Sequence, residues 1–188
     1  FLPVYQALQD LERERNATPP EIMAAYPIAF PLSVGRIEAG DWSSSVPDQL
    51  TAEGRSGVAI GESVGDARAA FEQRVGEASA ADPWLKDHPV RVEWSGGQFA
   101  SGAYDTRHWL LPTLQEAVAA ASGERPAVTG APYGSDLRLY NGAGIPSLHY
   151  GPGEVKYAHS TIEQVRLAEV VEVARALAVT VLRAPASG

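Results

Sequence analysis

The stretch YGPGEVKYAHSTIEQV, Tyr150 to Val165, holds one histidine between an apolar run and a long helical pattern. A neutral imidazole binds transition metals, and a nearby carboxylate can orient the ring or its loop. His159 and Glu163 offer these two groups. A catalytic zinc normally takes three protein ligands, so one imidazole does not make a metal centre. On the residues alone, a solvated loop histidine is the favoured interpretation.

The segment GSDLR, Gly134 to Arg138, offers groups that bind a substrate carboxylate or carbonyl oxygen. Gly134 lets the backbone approach a ligand closely, and Ser135 supplies a hydroxyl and an N–H at a predicted helix start. A structural alternative stands beside this hypothesis. In that alternative Ser135 caps a short helix, and Asp136 and Arg138 form a local charge pair.

Composition limits the partners that we expect. The chain has 188 residues, a net charge of −8 and no cysteine. An acidic protein is poorly suited to bind nucleic acid, and the apolar segments are too short to cross a bilayer. The absence of cysteine excludes disulfides and thiolate ligands. We therefore expect a cytoplasmic protein with neither a nucleic-acid nor a membrane partner.

Hydrophobic periodicity predicts an α-β-β-α-β order in the first half of the chain. Helical spacing predicts helices over residues 3–15 and 67–78. Alternating apolar residues predict strands over 28–34, 50–60 and 90–94.

The second half alternates helices with short apolar runs, a pattern typical of one edge of an α/β sheet. The helices are predicted from Leu111 to Gly123, briefly within APYGSDLRLYNGAG, and over 167–181. Short strands are predicted at Ala127–Gly130 and in IPSLHYG. The linker SGGQFASGAYD divides the two halves, so we expect domains at 1–95 and 96–188.

Four segments, in chain order, resemble the C-terminal half of the dinuclear zinc amidohydrolases. They are VGRIEAGDWSSSVPDQLTAEGR, DPWLKDHPVRVEW, GAPYGSDLRLY and YGPGEVKYAHSTIE. That family includes acetylornithine deacetylase, succinyl-diaminopimelate desuccinylase, aminoacylase and glutamate carboxypeptidase.

The resemblance implies that residues 1–95 are a ferredoxin-like lid, or dimerisation, domain that lacks its opening strand. Residues 96–188 would be the C-terminal part of the α/β catalytic domain. The other metal ligands and the general-base glutamate would lie in an N-terminal half, in the same or another chain. No catalytic residue is therefore assigned here.

The resemblance also implies roles for individual residues. His159 resembles the last metal ligand of the family, and Glu163 matches an acidic position that follows it. Glu163 would orient the loop or bond the imidazole; alternatively it would favour the dipole from the first turn of the last helix. Gly134, Ser135 and Arg138 would belong to the substrate loop.

One substrate-binding position departs from the family pattern. Many members carry a carboxylate-binding arginine where this chain has Gly57. Because strand side chains alternate, positions 55 and 57 would share a face, and Arg55 would supply the guanidinium one pleat away.

The resemblance also implies the reaction, which would be hydrolysis of the amide bond of an N-acyl amino acid or small peptide. Two divalent ions would serve it, zinc by expectation, with cobalt or manganese as alternatives. A homodimer through the lid is expected, and the chain alone should be inactive. The competing hypothesis is a non-catalytic dimerisation or small-ligand-binding module.

Overall fold

The computed structural model describes residues 1–185, which divide into two compact units. The first unit consists of Phe1–Ser101 with Thr129–Ser135. The second begins with Gly102–Val128 and resumes at Asp136. The predicted second domain extends to Gly188, and its residues 186–188 lie outside the described part. The assignment of a lid and a catalytic part stays a prediction.

Two helices and two strands form the first unit. They are α1 (Leu2–Arg15), β1 (Leu32–Ala39), β2 (Leu50–Ser56) and α2 (Val64–Ala81). Both helices agree with the sequence prediction.

The helices α1 and α2 pack together through an apolar cluster. Val4 and Leu8 of α1 lie on one face, since residues four apart are neighbours on a helix. They pack with Val75 of α2 and with Leu85. The Ser63 hydroxyl starts α2 by accepting a hydrogen bond from a main-chain N–H of the first turn, at 3.0 Å.

The C-terminal end of α1 is joined to the following segment by side chain to main chain hydrogen bonds, here called the Asn16 junction. The Asn16 amide oxygen accepts from the N–H groups of Ala29 (2.8 Å) and Phe30 (2.9 Å). Its amide nitrogen donates to the carbonyls of Glu12 (2.8 Å) and Phe30 (3.1 Å). The Glu12 carboxylate accepts from the Leu32 N–H at 2.6 Å. These bonds fix the start of β1 against α1.

Strands β1 and β2 form an antiparallel pair that starts with Leu32 opposite Ser56. Gly35 is the extra residue of a β-bulge. Next to the bulge, a Cβ on Gly54 would lie 2.1 Å from the Ser33 carbonyl oxygen. Only glycine permits that close approach.

Both strands exist, but the first prediction, 28–34, lies about four residues before the observed β1, and the second, 50–60, begins correctly and runs four residues too far. The predicted strand residues 28–31 and 57–60 lie outside β1 and β2. The predicted third strand is wrong, because residues 90–94 form no strand and the sheet of the described residues has two strands. A strand needs a neighbour for its ladder of hydrogen bonds. The ferredoxin-like plan is therefore not confirmed.

Residues 90–94 instead contact α2 through a side chain. The Trp94 ring meets the Phe71 ring edge-on, with 5.3 Å between centroids. The indole N–H donates to the Glu72 carboxylate at 2.6 Å. Apolar packing thus holds the segment without a sheet.

The second unit contains α3 (Leu110–Ser122), α4 (Leu137–Gly142) and α5 (Leu167–Leu182). Helix α3 ends as predicted, with Gly123 in the left-handed region at φ 86°. The core lies between α3 and α5, where the fully buried Ala117 and Ala176 allow close packing.

The strands predicted at Ala127–Gly130 and in residues 145–151 are wrong for the part of the chain that the structure describes. Leu148 and Tyr150 nevertheless pack against the α3–α5 core. The part of the chain that the structure describes combines helices with one small sheet, consistent with the predicted α/β class. Within residues 1–185, no helix has both the length and the apolar character needed to cross a membrane.

Candidate functional site

Residues 153–166, here called the His159 loop, lead into α5. His159 is exposed and has a φ of 61°. Among the described residues other than glycine, it is the one with positive φ. This backbone conformation is uncommon for residues with a side chain, and it occurs often at functional positions.

Hydrogen bonds within the loop hold its tip, residues 157–163. The Ser160 hydroxyl donates to the Tyr157 carbonyl at 2.7 Å, and the Glu163 N–H donates to the Ser160 carbonyl at 3.2 Å. The Glu163 carboxylate then accepts from the His159 N–H at 3.1 Å. Glu163 therefore fixes the main chain that carries the imidazole.

The alternative that placed Glu163 in the first turn of the last helix is wrong, because α5 begins at Leu167. The observed bond to His159 joins the carboxylate to the main chain and not to the ring. The role of Glu163 in orienting a metal ligand stays a prediction.

Glu169, in the first turn of α5, closes the base of the His159 loop, which is formed by its end residues Gly153 and Arg166. Its carboxylate accepts from the Gly153 N–H (2.9 Å) and from the Arg166 guanidinium (2.5 Å). The Gly153 bond, and then the Arg166 bond, lower the pKa of Glu169 below its ordinary range. Sequence reasoning missed this residue. An acidic residue in the first turn after a Gly-Pro-Gly segment was the available signal.

The GSDLR segment is divided between the two units, and each part is described by itself. In the first unit, a Cβ on Gly134 would lie 3.1 Å from the Phe99 ring. This glycine is therefore packed against an aromatic side chain. Ser135 directly precedes Asp136, the N-cap of α4, so its proposed roles as a cap or as a substrate-binding group stay predictions.

In the second unit, Arg138 and Asp136 form the local charge pair of the structural alternative, with 3.4 Å between nitrogen and oxygen. Asp136 also borders an open groove of about 500 Å³ between α4 and residues 145–150. Tyr140 and Tyr150 line this groove. Burial raises the pKa of the Tyr150 hydroxyl.

Arg55 is exposed on β2, opposite Ser33. It borders a shallow groove of about 290 Å³ beside the bulge, together with Glu53. The strand ends at Ser56, directly before Gly57. The shared face of positions 55 and 57, and substrate binding by Arg55, stay predictions.

Gly57 is held where a side chain would be crowded. A Cβ there would lie 3.1 Å from the Pro31 carbonyl oxygen and 3.2 Å from Phe30 main-chain atoms. Its N–H donates to that same carbonyl at 2.8 Å. An arginine at this position would require the Phe30–Pro31 backbone to move.

A half-buried ion pair that sequence reasoning missed holds the segment after β2. The Arg15 guanidinium donates twice to the Glu62 carboxylate, at 2.9 and 2.6 Å, and once to the Gly57 carbonyl, at 2.9 Å. Glu62 also accepts from the Ala59 N–H at 2.7 Å. The bond from Arg15 and the Ala59 N–H lower the pKa of Glu62.

The donors of this chain do not by themselves form a metal centre. Across residues 1–185, no three histidine, aspartate or glutamate side chains are grouped closely enough to hold an ion. His159 offers one exposed imidazole, which is one ligand of the three that a catalytic zinc normally takes.

Comparison with protein families gives a match to peptidase family M20/M25/M40 over residues 17–183. The chain belongs to this family. Homology to a family of hydrolases is thereby established, and the resemblance seen in the motifs is confirmed at that level. The match does not confirm the acetylornithine deacetylase type.

Two relatives of this M20-family chain bear the name N-formyl-4-amino-5-aminomethyl-2-methylpyrimidine deformylase. The one from Bacillus subtilis (strain 168) is 25% identical over 181 residues, covering 90% of this chain and 41% of the relative. The one from Halalkalibacterium halodurans (strain C-125) is 27% identical over 114 residues, covering 56% of this chain and 27% of the relative. The chain spans less than half the length of these two relatives.

Proposed function

We propose that this chain is part of an M20-family hydrolase that cleaves the amide bond of a small N-acyl compound. The observation that carries the proposal is the family match over most of the chain, within which the His159 loop presents an imidazole on a strained, hydrogen-bonded backbone. His159 would supply one ligand to a divalent metal, zinc by expectation. The other ligands would come from a further segment or another polypeptide. The proposed homodimer would form through the first unit.

The substrate that we favour is an N-formyl amine without a carboxylate. The name of both relatives describes a formyl group on an aminomethylpyrimidine and contains no carboxyl group. The crowding around Gly57 agrees with this, because a carboxylate-binding arginine there would require the Phe30–Pro31 backbone to move. The groove beside Asp136 has aromatic walls and a carboxylate that would accept from a ring amino group.

A second candidate substrate is an N-acyl amino acid, and the exposed Arg55 favours it. A guanidinium binds a carboxylate with two parallel hydrogen bonds. Under this candidate, Arg55→Ala should raise KM for N-acetyl amino acids. Under the favoured one, it should leave formate release unchanged.

The experiment starts from the natural protein, isolated through this sequence, and measures its intact mass. The purified protein is then assayed for formate release from the N-formyl aminomethylpyrimidine and for acetate release from N-acetyl amino acids. Added zinc should restore activity that a chelator removes. Formate release supports the favoured substrate, and acetate release alone supports the second.

A mass of about the 20.0 kDa of this chain, with no second polypeptide and no hydrolysis, would sink the enzyme proposal. The non-catalytic binding module would then stand.

A further inference from the structure

We infer that Glu169 positions His159 by closing the base of the His159 loop. The inference rests on the proposed function, in which the imidazole of His159 serves the reaction. It assigns a role to a side chain that neither the motifs nor the comparisons single out.

One carboxylate bonds both ends of the loop. The first residue, Gly153, donates its N–H to one Glu169 oxygen at 2.9 Å. The last residue, Arg166, donates from its guanidinium to the other oxygen at 2.5 Å. Glu169 is itself fixed in the first turn of α5, whose N-terminus favours a negative charge.

The two ends of the loop also lie side by side. The open side of Gly153 faces Val165, whose side chain would be 3.5 Å from a Cβ built there. Gly153 has a φ of 85°, which glycine adopts without strain. This conformation directs its N–H at the first turn of α5.

The base therefore determines where the tip lies. The bonds that Ser160 and Glu163 make are internal to the tip, so they fix its shape but not its direction. His159 is exposed and lies six residues from Gly153. If the base opens, the tip can keep its shape while the imidazole moves away from its working position.

A structural alternative assigns Glu169 to the stability of α5 alone. An acidic residue in a first helical turn stabilises the helix dipole, and loss of that charge would loosen the helix start. The two roles predict changes in different parts of the chain. Amide exchange in the loop reports on the first role, and exchange in the first turns of α5 reports on the second.

The test compares Glu169→Ala and Glu169→Gln in the full-length natural protein. A matched control is Glu172→Ala, which removes the same charge three residues further along the same helix. Amide hydrogen exchange is measured at Gly153, across 157–163 and across 170–175. The parameters kcat and KM are measured for the substrate that the wild-type protein hydrolyses.

For Glu169→Ala we expect exchange at Gly153 to rise roughly tenfold, since one charge-assisted hydrogen bond is lost. We expect kcat to fall roughly tenfold, the low end of the cost of losing a direct outer partner of a metal ligand, because Glu169 acts on the imidazole only through the loop. Glu169→Gln keeps an acceptor for the Gly153 N–H, so it should recover most of the slow exchange at Gly153 and most of kcat. The Glu172→Ala control should change neither.

Faster exchange confined to α5, with kcat unchanged, would overturn the inference in favour of the helix alternative. So would equal losses in Glu169→Ala and Glu172→Ala. A wild-type protein that hydrolyses no N-acyl compound would instead defeat the proposed function. The exchange data would still report whether Glu169 closes the loop, so the two failures are distinguishable.

Discussion

The Asn16 junction and the His159 loop use one device in two environments. In both, a side-chain oxygen accepts hydrogen bonds from main-chain N–H groups outside a helix. At the junction the donors belong to Ala29 and Phe30, which are 2% and 7% exposed. In the loop the donors belong to Gly153 and His159, which are exposed.

Because the two regions differ in burial, we expect their hydrogen bonds to contribute differently to the stability of the fold. At the junction, the bonds are partly buried, so water replaces a lost partner poorly and each contact carries much of the cost of a buried unsatisfied group. In the loop, water competes for the same N–H groups, and the contacts add little to the free energy of unfolding. Loops of low local stability are where functional groups are commonly found. We therefore expect the junction to hold the fold and the loop to hold a working geometry.

The largest expected effect is on activity. Under the proposed function, in which His159 binds the metal, His159→Ala in the natural protein should reduce kcat/KM at least 100-fold, because losing a ligand costs more than losing an outer partner of one. The free energy of unfolding should change by less than about 0.5 kcal/mol, as for other exposed residues. The exposed His88, stacked on Trp84 in the first unit, provides the control. Equal activity in His159→Ala and His88→Ala would contradict the proposed role of His159.

The largest expected effect on stability is at the junction. Asn16→Ala leaves the N–H and carbonyl of Phe30 buried without their partner and should cost about 2–3 kcal/mol. Asn16→Asp keeps both accepted bonds and loses both donated ones. Its stability should therefore lie between those of the wild-type protein and Asn16→Ala. Chemical denaturation measures these changes, with the exposed Gln6→Ala as control. A loss for Asn16→Ala no larger than that of the control would contradict the structural role.

A smaller effect that depends on pH is expected from Glu62. Its pKa in the folded protein lies below the ordinary value of 4.5. Its contribution to stability is therefore complete above about pH 4.5 and is lost as pH falls through the folded pKa. Glu62→Gln should cost about 1–2 kcal/mol at pH 7 and progressively less on acidification.

The pH dependence is measured by denaturant unfolding from pH 7 downward. Glu38→Gln, which removes the carboxylate from an exposed pair with Arg36, is the matched control and should change little. A Glu62→Gln difference that stays constant with pH would refute the ion-pair explanation.

The smallest effect on stability is expected in the loop. Glu163→Ala removes the acceptor of the His159 N–H and should change the free energy of unfolding by less than about 0.5 kcal/mol. Amide exchange at His159 should nevertheless become faster, and Glu163→Gln should restore the slower exchange of the wild-type protein. A stability loss comparable to that of Asn16→Ala would show that the two regions do not differ as described.

The helices were predictable because their signal is local. The buried residues Val4, Leu8 and Leu11 recur at helical spacing, and α1 follows from them. Strands depend on a neighbour that may be distant in sequence, so residues 90–94 have the pattern of a strand and no ladder.

The candidate site was predictable only in part, for a related reason. His159 and Glu163 could be picked out because they lie in one short motif. Glu169 and Asn16 act through main-chain groups 16 and 13–14 residues away, which no side-chain pattern reveals. The alternative that Glu163 lies in the last helix arises because its motif runs into an apolar stripe, and that stripe becomes helical only at Leu167.

The packing of Gly57 has a consequence for how this position can change. A Cβ at this position would require its neighbours to shift by a few tenths of an ångström. The neighbouring Phe30 is held through both its N–H and its carbonyl by Asn16. A mutation to arginine at residue 57 would have to displace backbone that the Asn16 junction holds, so it should be tolerated more readily in a variant whose junction is loosened.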